Sequence, residues 1–462
     1  MKRHTIQVAL LLGTLFLAGL VGVLPLASPG VQAQQAPPRI YVSPSGSDAT
    51  GTGSVTAPYA TISHAVTVAP TGAVVVVEPG MYDEMVNISR TVTLESMSSN
   101  PSNTIINATG KVYGIFVLGA DSNGTVVEGF TVELANNHGI FVQDSSGVTI
   151  EHNDVVSNGM HPDNCPESAT HSSPPSGPCI EENKAVTLVG TSDSTVVGNN
   201  IIDNAMLGGV SINDDGHLNP GALSAGTPNP AIGNVVTGNT IMGNMGACSI
   251  VVSAYNQGEG VIDNTVSNNI VSNNIVGIVV AADLPHTSAI NNTVAYNTVV
   301  DNLVEGGIIL HSNTPGDVVS GNHIVGNTLS GNAIVPSSNK SVAILLIGAV
   351  NPVYNTTISG NIVRNEQFGI EVLNGTGTAI TSDNSFDASV TIPVQGAVLS
   401  QLSLAALGGE MSTISQLQSS SASTVSSLNA QVSTLSAVSY AALGVAVVLG
   451  LAAIILSVRK RG

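Results

Sequence analysis

The fold of this chain is decided by a repeat that is clearest in Gly321-Asn322-His323-Ile324-Val325-Gly326-Asn327, where aliphatic residues lie between two asparagines. The Asn amide can bond the amide one coil above and below, so stacked coils turn such positions into ladders. The aliphatic residue between the asparagines is then expected to point into the core. The spacing Asn-x-[Ile/Val]-x-x-Asn, or one close to it, joins Asn153 with Asn158, Asn199 with Asn204, Asn239 with Asn244, Asn268 with Asn273, Asn297 with Asn302, Asn322 with Asn327, Asn327 with Asn332, and, one residue shorter, Asn361 with Asn365.

Short apolar strands recur between these asparagine motifs. They are Gly114–Val117, Gly139–Val142, Ala185–Leu188, Gly209–Ile212, Ser249–Val252, Gly277–Val280, Gly307–Leu310, Ala343–Leu346 and Gly369–Val372. The shortest spacings are 24 to 26 residues, and periods of about 20–50 residues indicate stacked repeats. A β-sandwich is the alternative, but the fixed repeat and the asparagines favour an all-β, right-handed parallel β-helix of about ten coils. Ile309 is predicted to lie inside one of these coils.

Both ends of the chain have the pattern of a targeting or membrane segment. Lys2 and Arg3 precede an apolar run that ends near Val31-Gln32-Ala33, which predicts a cleaved signal peptide over residues 1–33 or, alternatively, an uncleaved anchor helix. Residues 438–458 carry no charge and would cross about 30 Å of hydrocarbon as a helix. The basic tail at 459–462 predicts a cytoplasmic C-terminus, and therefore a single-pass cell-surface protein with an extracellular ectodomain over residues 34–400.

Residues 401–437 change from this repeat to a heptad pattern. Its layer positions alternate by three and four residues: Leu404, Leu407, Met411, Ile414, Gln418, Ser421, Val425, Leu428, Val432 and Leu435. The pattern predicts a coiled-coil-like stalk, and with it a homo-oligomer such as a dimer or trimer. The many serines and the Gly408-Gly409 pair leave a flexible spacer as the alternative.

The ectodomain is strongly acidic. Taking the five basic residues of the two ends from the eleven in the chain leaves six basic against thirty acidic residues over residues 34–437, a net charge of −24, and only Glu410 of these lies beyond residue 400. This charge argues against nucleic acid as a partner, and against acidic polysaccharide unless cations bridge the two.

Secretion would expose the cysteines to oxidation and the sequons to glycosylation. Cys165 and Cys179 are predicted to form a disulfide, with Cys248 left as a small core residue. The Asn-x-Ser/Thr sequons are Asn87, Asn107, Asn123, Asn291, Asn339, Asn355 and Asn374.

Several segments resemble known β-helix proteins. Gly321–Asn327 and Ser359–Asn365, with Gly369-Ile370, are similar to the repeat of the pectin-lyase-like superfamily, which includes NosD-type periplasmic proteins. Ile40–Asp48, Ala57–Ile62 and Glu78–Glu84 resemble the entry segment of many surface β-helix proteins. That resemblance implies an entry and cap over residues 39–112, with a capping helix from Ile62 to Ala69. The layout of β-helix, stalk and terminal helix resembles archaeal cell-surface proteins. The superfamily includes lyases, hydrolases, epimerases and binding scaffolds, so the resemblance implies a fold rather than an activity.

Two insertions between coils hold the candidate site residues. The first runs from about Ser157 to Asn183, and the second from Asn213 to Ala231. They leave the repeat at similar points of nearby coils, so we expect them to share one face. The candidate ligand-binding residues are His161, Asp163, Glu181, Glu182 and His217, and Lys184 follows the first insertion directly.

Asp214 and Asp215 form the predicted centre of such a site. Paired carboxylates act as acid and base on a glycosidic bond, or hold Ca²⁺ against a sugar acid. Asp214, Asp215 and Lys184 are therefore the candidates for catalysis, and the two aspartates are also the candidates for a Ca²⁺ site. Lys184 could face a carboxylate sugar. Solvated loop charges are the competing interpretation. A third is a NosD-like copper site, for which soft ligands are present at Met160, His161, Cys165, His171 and Cys179.

A catalytic role lacks residues that the related enzymes use. Asn213-Asp214-Asp215-Gly216-His217 resembles the paired aspartates of polygalacturonases, but the Asn-Thr-Asp and Arg-Ile-Lys motifs of that family have no counterpart. Among the ectodomain's basic residues, only Lys184 lies near the insertions. We therefore expect a cell-surface scaffold that binds or supports envelope polysaccharide or a surface protein. A membrane-anchored polysaccharide lyase or glycoside hydrolase is the alternative.

Overall fold

The computed structural model describes residues 36–159, 184–205, 208–214, 229–246, 248–304, 306–332, 334–335 and 340–396. No helix within these ranges is long and apolar enough to cross a membrane. Several predictions fall outside the described residues: the signal peptide (1–33), the stalk (401–437), the membrane helix (438–458) and the tail (459–462). The same holds for His161, Asp163, Cys165, Cys179, Glu181, Glu182, Asp215, His217 and Asn339.

The described chain from Pro38 onward is a parallel β-helix, as the repeat predicts. Its strands stack into four sheets, and each strand pairs in parallel with the equivalent strand of the next coil. Sheet 1 contains Arg39–Val42, Ala73–Val77, Val92–Ser96, Val126–Glu128, Thr149–Glu151, Thr195–Val197, Val235–Thr237, Thr265–Ser267, Thr293–Ala295, His323–Val325, Thr357–Ser359 and Ala379–Ile380. Sheet 2 contains Gly80–Tyr82, Thr104–Asn107, Thr131–Glu133, Asp154–Val156, Asn200–Ile202, Thr240–Met242, Ile270–Ser272, Thr298–Val300, Thr328–Ser330, Ile362–Arg364 and Ser385–Phe386.

Sheet 3 holds the longest strands. It contains Val86–Ile88, Ile115–Leu118, Ile140–Gln143, Lys184–Val189, Gly208–Asn213, Cys248–Ala254, Val276–Ala282, Ile308–Ser312, Lys340–Gly348, Phe368–Val372 and Ile392–Gln395. Ile334–Val335 pairs antiparallel with Lys340–Gly348. Sheet 4 contains Ala231–Ile232, Gly260–Ile262, Ser288–Ile290, Val318–Ser320, Val353–Tyr354 and Gly375–Thr376. The nine predicted apolar strands all fall in sheet 3, whose eleven successive strands agree with the expected number of coils.

The first coils are closed by a short helix. The α-helix Ile62–Val68 begins after Thr61, whose side chain accepts a hydrogen bond from the backbone N–H of His64 at 3.2 Å. The backbone N–H groups of Ile62 and Ser63 donate to the Glu84 carboxylate, both at 2.8 Å. These bonds satisfy the first-turn donors of the helix, and the helix lies where the resemblance placed the cap. Two 3₁₀ turns occur at Pro101–Asn103 and Ala120–Ser122.

The core is a stack of single aliphatic residues. A typical three-residue strand of sheet 1 or 2 buries its middle side chain and points the flanking two outward. In sheet 1 the register places Ile150, Val196, Val236 and Val266 above one another, all at most 1% exposed. Each such burial contributes about 1.5–3 kcal/mol, so the coil is stable only when its neighbours complete the stack.

Sheet 3 has apolar residues on both of its faces. Ile308 and Leu310 belong to the main core, whereas Ile309 between them belongs to a second apolar cluster with Val279 and Leu345. The prediction that Ile309 lies inside a coil is therefore wrong. Side chains alternate along a strand, and a continuous run of apolar residues does not reveal which alternate set faces inward.

Asparagine ladders run along the corners of the coil. The longest consists of Asn153, Asn199, Asn239, Asn269, Asn297, Asn327, Asn361 and Asn384, each donating from Nδ2 to the next Oδ1 at 2.9–3.1 Å. A second consists of Asn158, Asn204, Asn244, Asn274, Asn302 and Asn332. A third, beside sheet 4, consists of Asn234, Asn264, Asn292 and Asn322.

The sequence motif placed two ladder members one residue too early. Asn268 and Asn273 are not in the ladders; they have φ values of 56° and 55°, and their neighbours Asn269 and Asn274 form the ladder bonds. The first asparagine of each adjacent pair thus has the left-handed backbone conformation, and the second stacks its side-chain amide in the ladder. The short Asn361–Asn365 pair has a similar explanation, because Glu366 occupies the ladder position and its Oε1 accepts from the Asn332 side chain at 3.1 Å.

Candidate functional site

The two insertions meet sheet 3 at opposite ends of its strands, so the prediction that they leave the repeat at similar points is wrong. The first returns to the β-helix at Lys184, where strand Lys184–Val189 begins, and the second leaves after strand Gly208–Asn213. These two strands are direct neighbours, with Val186 paired to Val210. The outer face of this strand pair is therefore bordered by one insertion at the start of the strands and by the other at their ends.

Asp214 is integrated into the backbone of the next coil. Its side chain is buried, and Oδ1 accepts from the backbone N–H of Tyr255 at 2.6 Å and of Asn256 at 3.3 Å. The Asn256 side chain donates to the Asp214 carbonyl oxygen. These bonds give Asp214 a structural task at the point where the second insertion begins. The proposed Ca²⁺ pair of Asp214 with Asp215 stays a prediction, because Asp215 lies outside the described residues.

Lys184 is buried at the other end of the strands of sheet 3. It is among the largest side chains that are essentially inaccessible to solvent. Its carbonyl oxygen lies 2.8 Å from His138 Nδ1, which is also 2.9 Å from Thr187 Oγ1. The strand that follows the first insertion is thereby joined to the coil before it.

Four aromatic rings form a cluster on the outside of sheet 3. Phe141 stacks on His138 with ring centroids 4.8 Å apart, on Tyr113 at 5.1 Å and on Phe116 at 5.3 Å. All four rings are buried. The sequence contained a signal for part of this cluster, since Phe116 and Phe141 occupy the same position of two successive repeats and pair in register.

A polar cleft of about 240 Å³ lies where sheet 3 turns towards sheet 1. It is lined by Ala120, Asn123, Asp144, Ser146, Gly190, Ser192, Asn229 and Pro230. Asn229 and Pro230 are the first described residues after the second insertion, so this cleft adjoins it. The sequence marks Asn123 as a sequon and carries no signal for Asp144 or Asn229, because only the stacking of coils brings these turns together.

Hydrogen bonds fix the groups of this polar cleft. Asn229 Nδ2 donates to Asp144 Oδ1 at 2.9 Å, and Asn123 Oδ1 accepts from the backbone N–H of Ser146 at 2.7 Å. Burial raises the pKa of Asp144, while the bond from Asn229 acts in the opposite direction. Asp144 has a φ of 53°, which directs the turn across the cleft. The cleft thus offers a partly buried carboxylate beside amide and hydroxyl groups.

An acidic row lies on another side, on sheet 1. Glu95, Glu128 and Glu151 are in register on three successive coils. Burial, with the neighbouring charge of Glu151, raises the pKa of Glu128, and Arg39 pairs with Glu95 at the end of the row. A shallow cleft of about 500 Å³ beside the row is lined by Glu95, Ser96, Met97, Ser98, Ser99, Glu128, Gly129 and His152.

The described part of the chain contains no preformed metal site. No group of three or more His, Cys, Asp or Glu side chains there is arranged to hold a metal ion. The ligands proposed for a copper site lie outside the described ranges. Of the predicted sequons, Asn87, Asn123, Asn291, Asn355 and Asn374 are exposed and Asn107 is half-buried, while their glycosylation stays a prediction.

The family model described as "Protein of unknown function (DUF1565)" matches residues 44–304. Among solved structures, the fold is similar to that of PfbA, a surface adhesin of Streptococcus pneumoniae, with a TM-score of 0.52 and 15% identity over 70% of this chain and 78% of that chain. The match to pectate lyase Pel9A has a TM-score of 0.48 and 15% identity over 78% of this chain and 82% of that chain. The match to an alginate lyase from a Paenibacillus species has a TM-score of 0.43 and 15% identity over 73% of this chain and 96% of that chain. At 15% identity, the likeness to PfbA shows a shared β-helix fold and nothing about activity. No curated protein matches the sequence.

Proposed function

The chain belongs to the DUF1565 family of proteins of unknown function, and on that premise we propose that it is a cell-surface scaffold whose β-helix binds envelope glycan. The observation that carries this proposal is the polar cleft beside the second insertion, where Asp144, Asn123 and Asn229 converge from three coils. The display at the surface rests on the pattern of the two chain ends, with a signal peptide at 1–33 and a membrane helix at 438–458.

The chemistry of the cleft suits sugar hydroxyls. A hydroxyl both donates and accepts, and the cleft supplies a carboxylate that accepts together with amide and hydroxyl groups that do both. Ala120 and Pro230 add small apolar surfaces that can contact the C–H groups of a sugar ring. The fold is also that of a surface adhesin, PfbA, which is consistent with a binding role.

The electrostatics favour a neutral glycan. With a net charge of −24 over residues 34–437, the part of the chain that is predicted to lie outside the cell repels polyanions at low salt. A uronate polymer would need bridging cations, such as Ca²⁺, between its carboxylates and those of the protein. Neutral polysaccharide of the cell envelope is therefore the ligand class that binds with the least electrostatic repulsion.

A binding assay tests this proposal directly. Immobilised neutral and acidic polysaccharides should retain the wild-type ectodomain, with the neutral class bound in the absence of Ca²⁺. Asp144→Asn and Asn229→Ala should weaken retention, because the first removes the carboxylate charge of the cleft and the second removes the amide that donates to Asp144 at 2.9 Å. Asp301→Asn is the matched control, since Asp301 is exposed and has a similar φ of 54°.

Two outcomes would change the conclusion. Retention of no polysaccharide, with or without Ca²⁺, would leave a structural rod without a glycan site. Release of new reducing ends by the wild type, lost in Asp144→Asn, would assign the alternative of a membrane-anchored lyase or hydrolase. Surface display is tested separately: protease added to intact cells should release ectodomain fragments, while a tag placed after Gly462 stays protected.

A further inference from the structure

The outer face of sheet 3 carries one column of residues with an ordered polarity. From the C-terminal coils towards the N-terminal ones its members, paired in register, are Gln395, Glu371, Leu345, Ile309, Val279, Val251, Ser211, Thr187, Phe141, Phe116 and Asn87. Between the polar residues at its two ends, four aliphatic residues are followed by two hydroxyl residues and then by two aromatic residues.

The aliphatic part of this column is shielded from water although it points away from the coil. Val251, Val279, Ile309 and Leu345 are 2–5% exposed and belong to an apolar cluster separate from the main core. Val276, Val342 and Phe368 widen the same cluster. An apolar sheet face of this length is normally covered by a second layer of secondary structure.

The described part of the β-helix ends at this same sheet. The last described strand, Ile392–Gln395, pairs with Phe368–Val372 at the C-terminal end of sheet 3. The heptad segment begins at Leu404, so eight residues, 396–403, connect the two. A linker of this length spans up to about 26 Å when extended, which is enough to turn the chain back over the outer face.

The heptad segment repeats the polarity of the column in the same order. Its first layers are Leu404, Leu407, Met411 and Ile414, followed by Gln418 and Ser421, and then by Val425 and Leu428. Four apolar layers, two polar layers and two apolar layers match the stretch of the column from Leu345 to Phe116 position by position, and Glu371 and Asn87 lie beyond the matched stretch. The spacing also agrees, because heptad layers are about 5.2 Å apart along a helix and β-helix coils are about 4.8 Å apart.

We propose that residues 402–437 form a helix that packs along the outer face of sheet 3 of the same chain, running back towards the N-terminal coils. In this register Leu407 faces Ile309 and Met411 faces Val279. Gln418 and Ser421 face Ser211 and Thr187. The helix covers the apolar column, and the column supplies the partner that an amphipathic helix needs.

The composition of the segment favours this arrangement over a self-associating stalk. Coiled coils commonly use charged residues beside the seam to select partners, whereas Glu410 is the only charged residue between 401 and 437. The Gly408-Gly409 pair lowers the intrinsic helix propensity. Such a helix depends on a preformed surface, which sheet 3 provides.

Cysteine cross-linking of the full-length protein in detergent or nanodiscs tests the register. Val279→Cys combined with Met411→Cys should form a disulfide under mild oxidation, because the proposed register places these two positions opposite each other and a disulfide forms only between facing cysteines whose Cα atoms lie about 4.4–6.8 Å apart. Val279→Cys with Val425→Cys is the matched control; it is four layers out of register, about 21 Å along the helix. Peptide mass spectrometry distinguishes these bonds from those of the native cysteines.

Mixing isotopically labelled and unlabelled copies before oxidation identifies the occupant. A cross-link confined to peptides of one isotope supports packing within one chain. Mixed-isotope peptides would show that a second copy supplies the helix, and would overturn the proposal. Equal yields for the 411 and 425 pairs, or no cross-link in either, would overturn it as well. The binding assay on the polar cleft is independent of this result.

Discussion

Glu366 closes one asparagine ladder with an ionisable group, so the stability of the β-helix should depend on pH at this position. Its side chain is 2% exposed, and Oε1 accepts from the Asn332 backbone N–H at 2.7 Å and from Asn332 Nδ2 at 3.1 Å. Burial raises the pKa of Glu366 to about 7. Glu366→Gln keeps the shape and the accepting oxygen and removes the ionisation.

The sign and size of the effect follow from the two pKa values. Below the ordinary value of 4.5 the carboxyl is protonated in the folded and unfolded states, and the folded state has its full stability. As the pH rises the unfolded chain ionises first, so stability falls until the pH passes the folded pKa of about 7. The raised pKa corresponds to a loss of roughly 3 kcal/mol in the free energy of unfolding at pH 8 relative to pH 4.

Chemical denaturation of the ectodomain at closely spaced pH values measures this loss. Glu366→Gln should unfold with nearly the wild-type free energy at pH 4 and should be the more stable protein at pH 8. Asp263→Asn is the control, because Asp263 is exposed and loses the same charge from the surface. Wild type and Glu366→Gln losing stability in parallel between pH 4 and pH 8 would show that Glu366 ionises at an ordinary pH and that the reasoning is wrong.

Three further substitutions test the ladders, the insertion and the core. Asn269→Ala removes four ladder hydrogen bonds and should lower the free energy of unfolding by about 3 kcal/mol or more. Asn268→Gly, at the exposed left-handed position next to it, should change it by less than about 0.5 kcal/mol. Asp214→Asn should destabilise by roughly 1–2 kcal/mol in metal-free buffer; an unchanged thermal midpoint there would favour a ligand-binding role over the structural one. Leu310→Ala should lower the free energy of unfolding by roughly 2–5 kcal/mol. Asn313→Ala, in the following turn, should leave it almost unchanged in the same denaturation assay.

The candidate site could be predicted only in part from the sequence. The insertions were recognised as interruptions of the repeat, and the structure brings their described ends to neighbouring strands of sheet 3. Asp144, Asn123 and Asn229 were not recognised as a group, because they are up to about a hundred residues apart and meet only through the stacking of coils. Asp214 looked like one half of a carboxylate pair, yet its side chain bonds the backbone of the next coil.

The parallel β-helix, the number of coils and the existence of asparagine ladders follow from the sequence alone, because each of these repeats with a fixed period and each repeat must bury the same positions as its neighbours. The sequence does not show which of two adjacent residues occupies a ladder or which face of a strand lies inside. Asn268 and Asn269 are chemically identical, and Ile308 and Ile309 are equally apolar. The choice between them is made by φ at the corner and by side-chain alternation against the coil above, and these are properties of the stacked structure rather than of any single repeat.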